Sequence, residues 1–422
     1  MNGHLGTLFR LALRNVRRQA RRSVLTALAM IVGVGLLVFS RAMAEGGHED
    51  WIDAGVRMGT GHVTIQAPDF QVRRTLDERL GPADVEAVLK AVDALGPAGE
   101  VIEAVTRLEV RGLASSPGGA LPVVITGVIP EEERRFSRLP ERLIEGEYLP
   151  EEDDLGAYVG SELARRLGLE IGSRLVLTGQ DADGTISGQL VRVRAVFRTG
   201  LPEVDVRVVQ LRLSTARSWL GVDGAATSVA LLLGSSTAVD KTARALADAL
   251  ADVPGARVLA WPEAMPELEA ALKMDDFGDF VFHVITLVIV ALAVVNTILM
   301  SVLNRTREFG VARALGMTRR DTGTQVMIEG VILSAASGVI GIIVGLAVTW
   351  IFFRNGLDFS GLMENGMEAA GIMIEPIVYP KFRLQTLAQS VGFVLAVGVA
   401  ASAYPAWRAT RIEVAEAMKF EA

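Results

Sequence analysis

Cysteine is absent from the 422 residues. That removes disulfides, thiol nucleophiles, cysteine-held metals and a lipid-modified cysteine on this chain. Histidine occurs four times, at His4, His48, His62 and His283, with no spacing that would gather ligands around a metal. Lysine occurs five times, at Lys90, Lys241, Lys273, Lys381 and Lys419, and none of them follows a glycine. A phosphate-binding loop ending in Gly-Lys-Ser/Thr, whose lysine reaches the outer phosphates, is therefore excluded. No convergent set of nucleophile, base and oxyanion donors emerges, so the sequence offers no catalytic residue and no metal site. His48, Glu49 and Asp50 read as a solvated cluster, His283 as a residue packed near a membrane face, and the acidic runs 131–133 and 151–154 as solvated loops.

What is plentiful is apolar surface: half of the residues are hydrophobic, with a mean hydropathy of +0.37, although 22% are charged. Such an average usually conceals two materials in one chain. Four apolar runs reach the roughly 20 residues that carry a helix across a bilayer core: 23–44, 280–303, 326–353 and 384–403. The long segment 45–279 between the first two holds 24 Lys and Arg against 39 Asp and Glu, so the remainder of the chain is net basic.

Arginine gives an orientation, because basic residues beside a span stay on the cytoplasmic side. Residues 1–22 contain six arginines and no acid. The expectation is a cytoplasmic N-terminal helix over 1–22, an outer domain over 45–279, a cytoplasmic segment over 304–325, an outer loop over 354–383, and a cytoplasmic C-terminus over 404–422. The 304–325 segment carries five arginines against Glu308 and Asp321, in agreement. A cleavable signal peptide ending near Ala42-Met43-Ala44 is the alternative for the first run; the long basic segment and long apolar run favour an anchor.

The outer segment mixes both periodicities. Helical spacing marks 85–95 and 237–250; strands are predicted over 101–112, 121–129 and 256–261, and a strand running into a helix over 206–221. Residues 158–179 read as helix, glycine turn and strand, and 180–197 as a hairpin with Asp183-Gly184 at its tip. The fold class is an α-helical membrane protein of four spans with a large α+β extracytoplasmic domain between the first and second.

Within the spans, Gly338, Gly341 and Gly345 follow a small-residue spacing that lets backbones approach, as tight packing or as a dimer seam. Asn296, Thr297 and Glu329 are costly in hydrocarbon unless they face other helices, and Glu329 lies close enough to the inner interface to be solvated. Residues 304–330 read as helical, with Phe309, Ala312 and Leu315 forming a small apolar stripe beside Arg305, Arg307, Glu308 and Arg313. Such a segment suits a groove on a cytoplasmic partner. It equally suits a basic loop held at anionic lipid, worth about 1 kcal/mol per basic residue.

The stretch RTREFGVARALGMTRRD (305–321) resembles the coupling segment of the FtsX/MacB/LolC-type (type VII) ABC permeases. Glu308, Gly310, Arg313, Ala314, Leu315 and Gly316 fall on its motif, with Phe309 where isoleucine is usual. Residues 11–35 are similar to that family's N-terminal elbow and first span, and YPAWRATRIEVAEAM (404–418) to its closing motif, with Val414 in place of a frequent proline. Residues 156–221 are similar to the outer domain of the lipoprotein-releasing LolC/LolE branch.

The resemblance implies a non-enzymatic permease of the bacterial inner membrane. It would work with a LolD-like cytoplasmic ATPase that holds the ATP and Mg, with no cofactor on this chain, and with a second permease, identical or related. ATPase coupling would fall to Arg305, Glu308, Phe309, Gly310, Arg313, Ala314, Leu315, Gly316 and Met317. Contact with a periplasmic carrier would fall to Asp181, Asp183 and Gly184, in a tip that lacks the prolines of the best-known hook. Lipids and lipoprotein cargo are the expected partners, and nucleic acid is not. Efflux through a periplasmic adaptor, as in MacB, and FtsX-like activation of a cell-wall hydrolase are the alternatives.

Overall fold

The computed structural model describes residues 20–96, 100–150, 153–359, 367–369, 372–374 and 377–412. The N-terminal helix expected over 1–22 falls almost wholly outside them, as does the tail 413–422 with Val414. The chain divides into two compact units, one of Met1–His48, Met274–Asp358 and Ile377–Ala422, the other of Glu49–Lys273 and Phe359–Pro376.

Four long helices, Ala20–Gly55, Pro266–Asn304, Arg319–Phe353 and Leu384–Thr410, each long and apolar enough to cross a membrane, supply most of the first unit, although the last turns of the first and the first turns of the second belong to the other unit. They outrun the apolar stretches that announce them. The second begins at Pro266, and its early turns are polar ones held by pairs such as Lys273 with Glu269 at 2.7 Å, a helix-surface spacing that supports helix without burial. Toward one end of the bundle the first and second helices are tied by Arg41, which donates to Asp279 at 2.9 Å, and by Ser40, which donates to the same carboxylate at 3.1 Å. His48, expected to be solvated, lies 2.7 Å from Asp275 and joins this tie. Arg383 reaches Glu45 at 3.0 Å and brings in the start of the fourth helix.

The second unit carries a ten-stranded sheet. Strand β1 (Val63–Gln66) leads to helix α1 (Pro82–Leu95) and the long strand β2 (Val101–Ser116). Far along the chain, β9 (Ser228–Leu233), helix α5 (Val239–Ala249) and β10 (Arg257–Ala260) complete the set. The spatial order β10-β1-β9-β2 is antiparallel throughout. Two β-α-β crossings in the order 4-1-3-2 make a ferredoxin-like half. Its core lies on the helix side, where Val85, Val88 and Val92 of α1 meet Ile65, Leu231 and Leu246.

Between β2 and β9 the chain inserts a second lobe: β3 (Gly119–Val128), α2 (Pro130–Phe136), β4 (Leu143–Gly146), β5 (Gly156–Gly160), α3 (Ser161–Leu167), β6 (Arg174–Gln180), β7 (Ile186–Phe197), β8 (Val208–Arg212) and α4 (Leu213–Leu220). The outer half of β2 pairs β3, then β3 pairs β8, β8 pairs β5, β5 pairs β7, β7 pairs β6, and β6 returns to β2. Those six strands close on themselves, which leaves no free edge among them. Alternation fills the interior: Leu175 and Leu177 of β6 and Val191 and Val193 of β7 are wholly buried while their sequence neighbours face out.

The α+β expectation holds for this unit, with particular differences. Residues 156–160 form strand β5 ahead of the helix predicted from 158, because Ala157, Tyr158 and Val159 are all buried between β7 and β8. Strands β1 and β9, unassigned in the sequence reading, are the middle of the ferredoxin-like half.

Candidate functional site

The segment 304–330, expected to be helical with a coupling helix over 304–325, is broken twice. The second long helix ends at Asn304, a short helix spans Thr306–Ala314, and the third long helix starts at Arg319. Gly316 has φ of +106°, a conformation side chains with a Cβ avoid, and it ends the short helix. Thr318 then caps the next one: its hydroxyl accepts from the Asp321 N–H at 3.2 Å while the Asp321 carboxylate accepts from the Thr318 N–H at 3.2 Å, a reciprocal capping box.

The short helix is fixed on one side and open on the other. Arg305 is buried, 7% exposed; its Nη1 lies 3.0 Å from both carboxylate oxygens of Glu329, its Nε donates to Glu308 at 3.0 Å, and its guanidinium stacks over the Phe309 ring at 4.9 Å. Gln325 adds a contact to Glu329 at 3.4 Å. Glu329 is therefore not solvated at the interface, as the sequence suggested, but buried as the counter-charge of Arg305. Phe309 and Gly310 are buried with it, and Arg313 donates to the Ile412 carbonyl.

The stripe of Phe309, Ala312 and Leu315 is thus divided. Phe309 faces the core, Ala312 is half-buried, and Leu315 stands 84% exposed. The open face instead carries Arg307, Val311, Ala314, Leu315 and Gly316, with Arg319 and Arg320 beyond the break; Met317 is half-buried and Glu308 is exposed at the edge. Val311 was missed by sequence reading. Its position four residues before Leu315 on a helix was the available signal.

The glycines of the third helix pack against two different neighbours. A Cβ on Gly345 would lie 2.9 Å from the Gly35 Cα, and one on Gly341 2.8 Å from the Val34 Cβ, both on the first helix. One on Gly338 would meet Val394 of the fourth helix at 2.9 Å. The small-residue seam therefore closes inside this chain. Asn296 of the second helix, by contrast, is exposed on the single chain.

The hairpin of β6 and β7 has the predicted loop, 181–185, with Gly184 at φ +78°. The Asp181 carboxylate accepts from the Asp183 N–H at 3.0 Å and the Thr185 N–H at 2.9 Å, so it shapes the turn. Asp183 and Gly184 are exposed. The residue that reading by charge overlooked is Ile186, 79% exposed just past the tip; strand alternation places it with Leu190, also exposed, on the outward face of β7.

No group of three or more metal-ligating side chains occurs among the described residues. Residues 23–249, more than half of the chain, match the profile of the MacB-like periplasmic core domain, and 280–414 that of the FtsX-like permease C-terminal region. The chain belongs to the FtsX/MacB-type permease family. Similar proteins include the lipoprotein-releasing system transmembrane protein LolC of Xylella fastidiosa, 24% identical over 71% of this chain and 73% of its own. The macrolide export ATP-binding/permease protein MacB of Brucella melitensis is 28% identical over 84% of this chain, but the match spans only 55% of that protein, roughly half its length. The ABC transporter permease YknZ of Bacillus subtilis is 24% identical over 98% of both chains. As an FtsX/MacB-type permease the chain is a multi-pass membrane protein of the ABC transporter class, and its short Thr306–Ala314 helix lies inside the FtsX-like region.

Proposed function

We propose that this permease is the membrane-spanning partner of a separate cytoplasmic ATPase, that the ATPase seats on the Val311/Leu315 face, and that its closure is transmitted along the spans to the α+β unit. The observation that carries this reading is the short helix itself. Val311 and Leu315, 45% and 84% exposed and one helical turn apart, form an apolar pair flanked by Arg307, Arg319 and Arg320, the pattern by which a helix seats in a partner's groove. The other side of the same helix is pinned through Arg305 to the third long helix, so a push on Leu315 cannot be absorbed locally.

The membrane-lipid reading of the basic segment accounts for the arginines but not for a rigid buried ion pair behind them. The N- and C-termini are then cytoplasmic and the α+β unit lies outside, as the arginine distribution implies. Asn296, exposed in an apolar span, supports a second permease chain alongside, since an amide in hydrocarbon seeks a hydrogen-bond partner.

Lipoprotein release is the cargo reading best supported, on the likeness to LolC; the outward Ile186 and Leu190 beside the 181–185 loop supply an apolar contact for a carrier. The test is co-purification in mild detergent of the ATPase with the Leu315→Asp variant. Retention of the ATPase at the wild-type level would reject the docking face.

A further inference from the structure

The last turns of the fourth long helix, Tyr404 to Arg411, are used by no part of the coupling reading. No charged residue occurs from Leu384 to Trp407, a helical length of about 36 Å at about 1.5 Å per residue. That length spans the roughly 30 Å of a bilayer core and ends in the headgroup layer. Arg383 stands just before the stretch and Arg408 just after it. Trp407 and the charges that follow it are therefore set at the membrane surface, where an indole offers an apolar body and a polar edge.

The helix is two-sided there. Ala401, Ser402, Pro405, Ala406 and Ala409 are buried, and Ala406 and Ala409 share a core with Phe309 of the short helix. Tyr404, Trp407, Arg408 and Arg411 are all exposed, and their spacing of three and four residues puts them on one side. They are ordered against one another: the Tyr404 and Trp407 rings stack 6.1 Å apart, and the Arg411 guanidinium lies 4.2 Å over the Trp407 ring. Neither Arg408 nor Arg411 has a carboxylate partner among the described residues. The acids of the neighbouring third helix are engaged elsewhere, Glu329 by Arg305 and Asp321 by Thr318. Toward the bilayer the same side continues through Val399, Ala400 and Ala403, small exposed side chains that leave a shallow apolar strip.

We infer that this face binds an anionic phospholipid, with its phosphate on Arg408 and Arg411, its glycerol region against Tyr404 and Trp407, and an acyl chain along Val399, Ala400 and Ala403. The two arginines are a single turn apart, where Cβ atoms on a helix surface are about 5–6 Å from each other, so both can reach one phosphate. Guanidinium suits that role because its fork presents paired donors to phosphate oxygens and is only weakly hydrated. The cation–π contact with Trp407 holds Arg411 in place without cancelling its charge, as an acidic partner would. A lipid supplies the counter-charge together with a chain that covers the apolar strip; a soluble phosphate leaves the strip bare. Because the other side of these turns packs with Phe309, an occupied site braces the short helix from behind.

The inference needs no ATPase and uses neither Val311 nor Leu315, so it stands or fails independently of the docking face. The full chain, in micelles of a neutral detergent, is titrated with phosphatidylglycerol brominated on its acyl chains and with the matching phosphatidylcholine, while tryptophan fluorescence is read. The difference between the wild-type chain and Trp407→Phe isolates quenching at Trp407. That signal should saturate, with half-quenching at a lipid fraction about fivefold lower, or better, for the phosphatidylglycerol. Arg408→Gln combined with Arg411→Gln should bring the two lipids together. Arg165→Gln combined with Arg166→Gln, which removes the same charge from the surface of α3, should leave the preference intact. Thermal unfolding separates lost binding from lost structure, and each arginine of the site is also changed singly, so that a double variant that fails to fold still leaves two readings. Equal quenching by the two lipids would reduce the face to an ordinary aromatic belt, and no quenching at Trp407 by either would mean that protein covers it. Displacement of the brominated lipid by millimolar glycerol phosphate would assign the site to a soluble phosphate. Each of these results overturns the inference, as does a preference that the folded arginine variants keep in full.

Discussion

Arg305 shows how one residue can match a family motif and yet do something other than meet a partner. Its charge is spent on Glu329 and Glu308 within the chain, and removing it leaves Glu329 buried without a counter-charge. The expected cost of Arg305→Ala is about 3–5 kcal/mol, read as a lowered unfolding temperature in detergent. Adding Glu329→Gln should restore much of it. A double variant no more stable than the single would show that the pair does not act as drawn. His62 is a second residue whose surroundings decide its behaviour. It is buried, its Nδ1 accepts from the Leu233 N–H at 3.1 Å, and burial lowers its pKa below 6.5 against the opposing pull of nearby Asp53. The unfolded chain therefore binds a proton that the folded one refuses. Stability is full above pH 6.5 and falls as pH drops below it toward the folded value. His62→Asn, which keeps an acceptor but cannot titrate, should flatten chemical denaturation midpoints between pH 7 and 5; an unchanged slope would remove His62 as the cause.

At the scale of elements, the glycine seam makes the sharpest prediction. Gly345→Leu must push the third helix away from Gly35 on the first, costing about 1–3 kcal/mol as overpacking does. Gly392, whose missing Cβ faces open space, should accept alanine with little change. Both are read from detergent unfolding, and equal losses would contradict the packing described. The same elements show what a sequence makes legible. Long apolar runs announce membrane helices because the bilayer demands length, and α1, β2, β3 and α5 declared themselves through periodicity. The helix facing Gly345 could not be read from spacing, since small residues mark close approach without naming the partner. Strands β1 and β9 were overlooked because four residues (Val63–Gln66) and six (Ser228–Leu233) offer too few repeats to fix a period. The burial of Phe309 and Glu329 was hidden for a related reason: a motif gives chain order, while facing direction depends on where the breaks at Arg305 and Gly316 turn the backbone.

For the whole molecule, the account requires that a push received at one face of a membrane reach an α+β unit at the other. The chain's lack of cysteine makes this directly measurable, because a single introduced thiol reports without background. Leu315→Cys and Ile186→Cys lie on exposed side chains of the short helix and of β7. In intact cells a membrane-impermeant maleimide should label Ile186→Cys once the outer side is accessible, and should label Leu315→Cys only after the inner membrane is opened. Labelling of both thiols from the same side would contradict the account, because a cytoplasmic ATPase could then not drive an outer domain through these four spans.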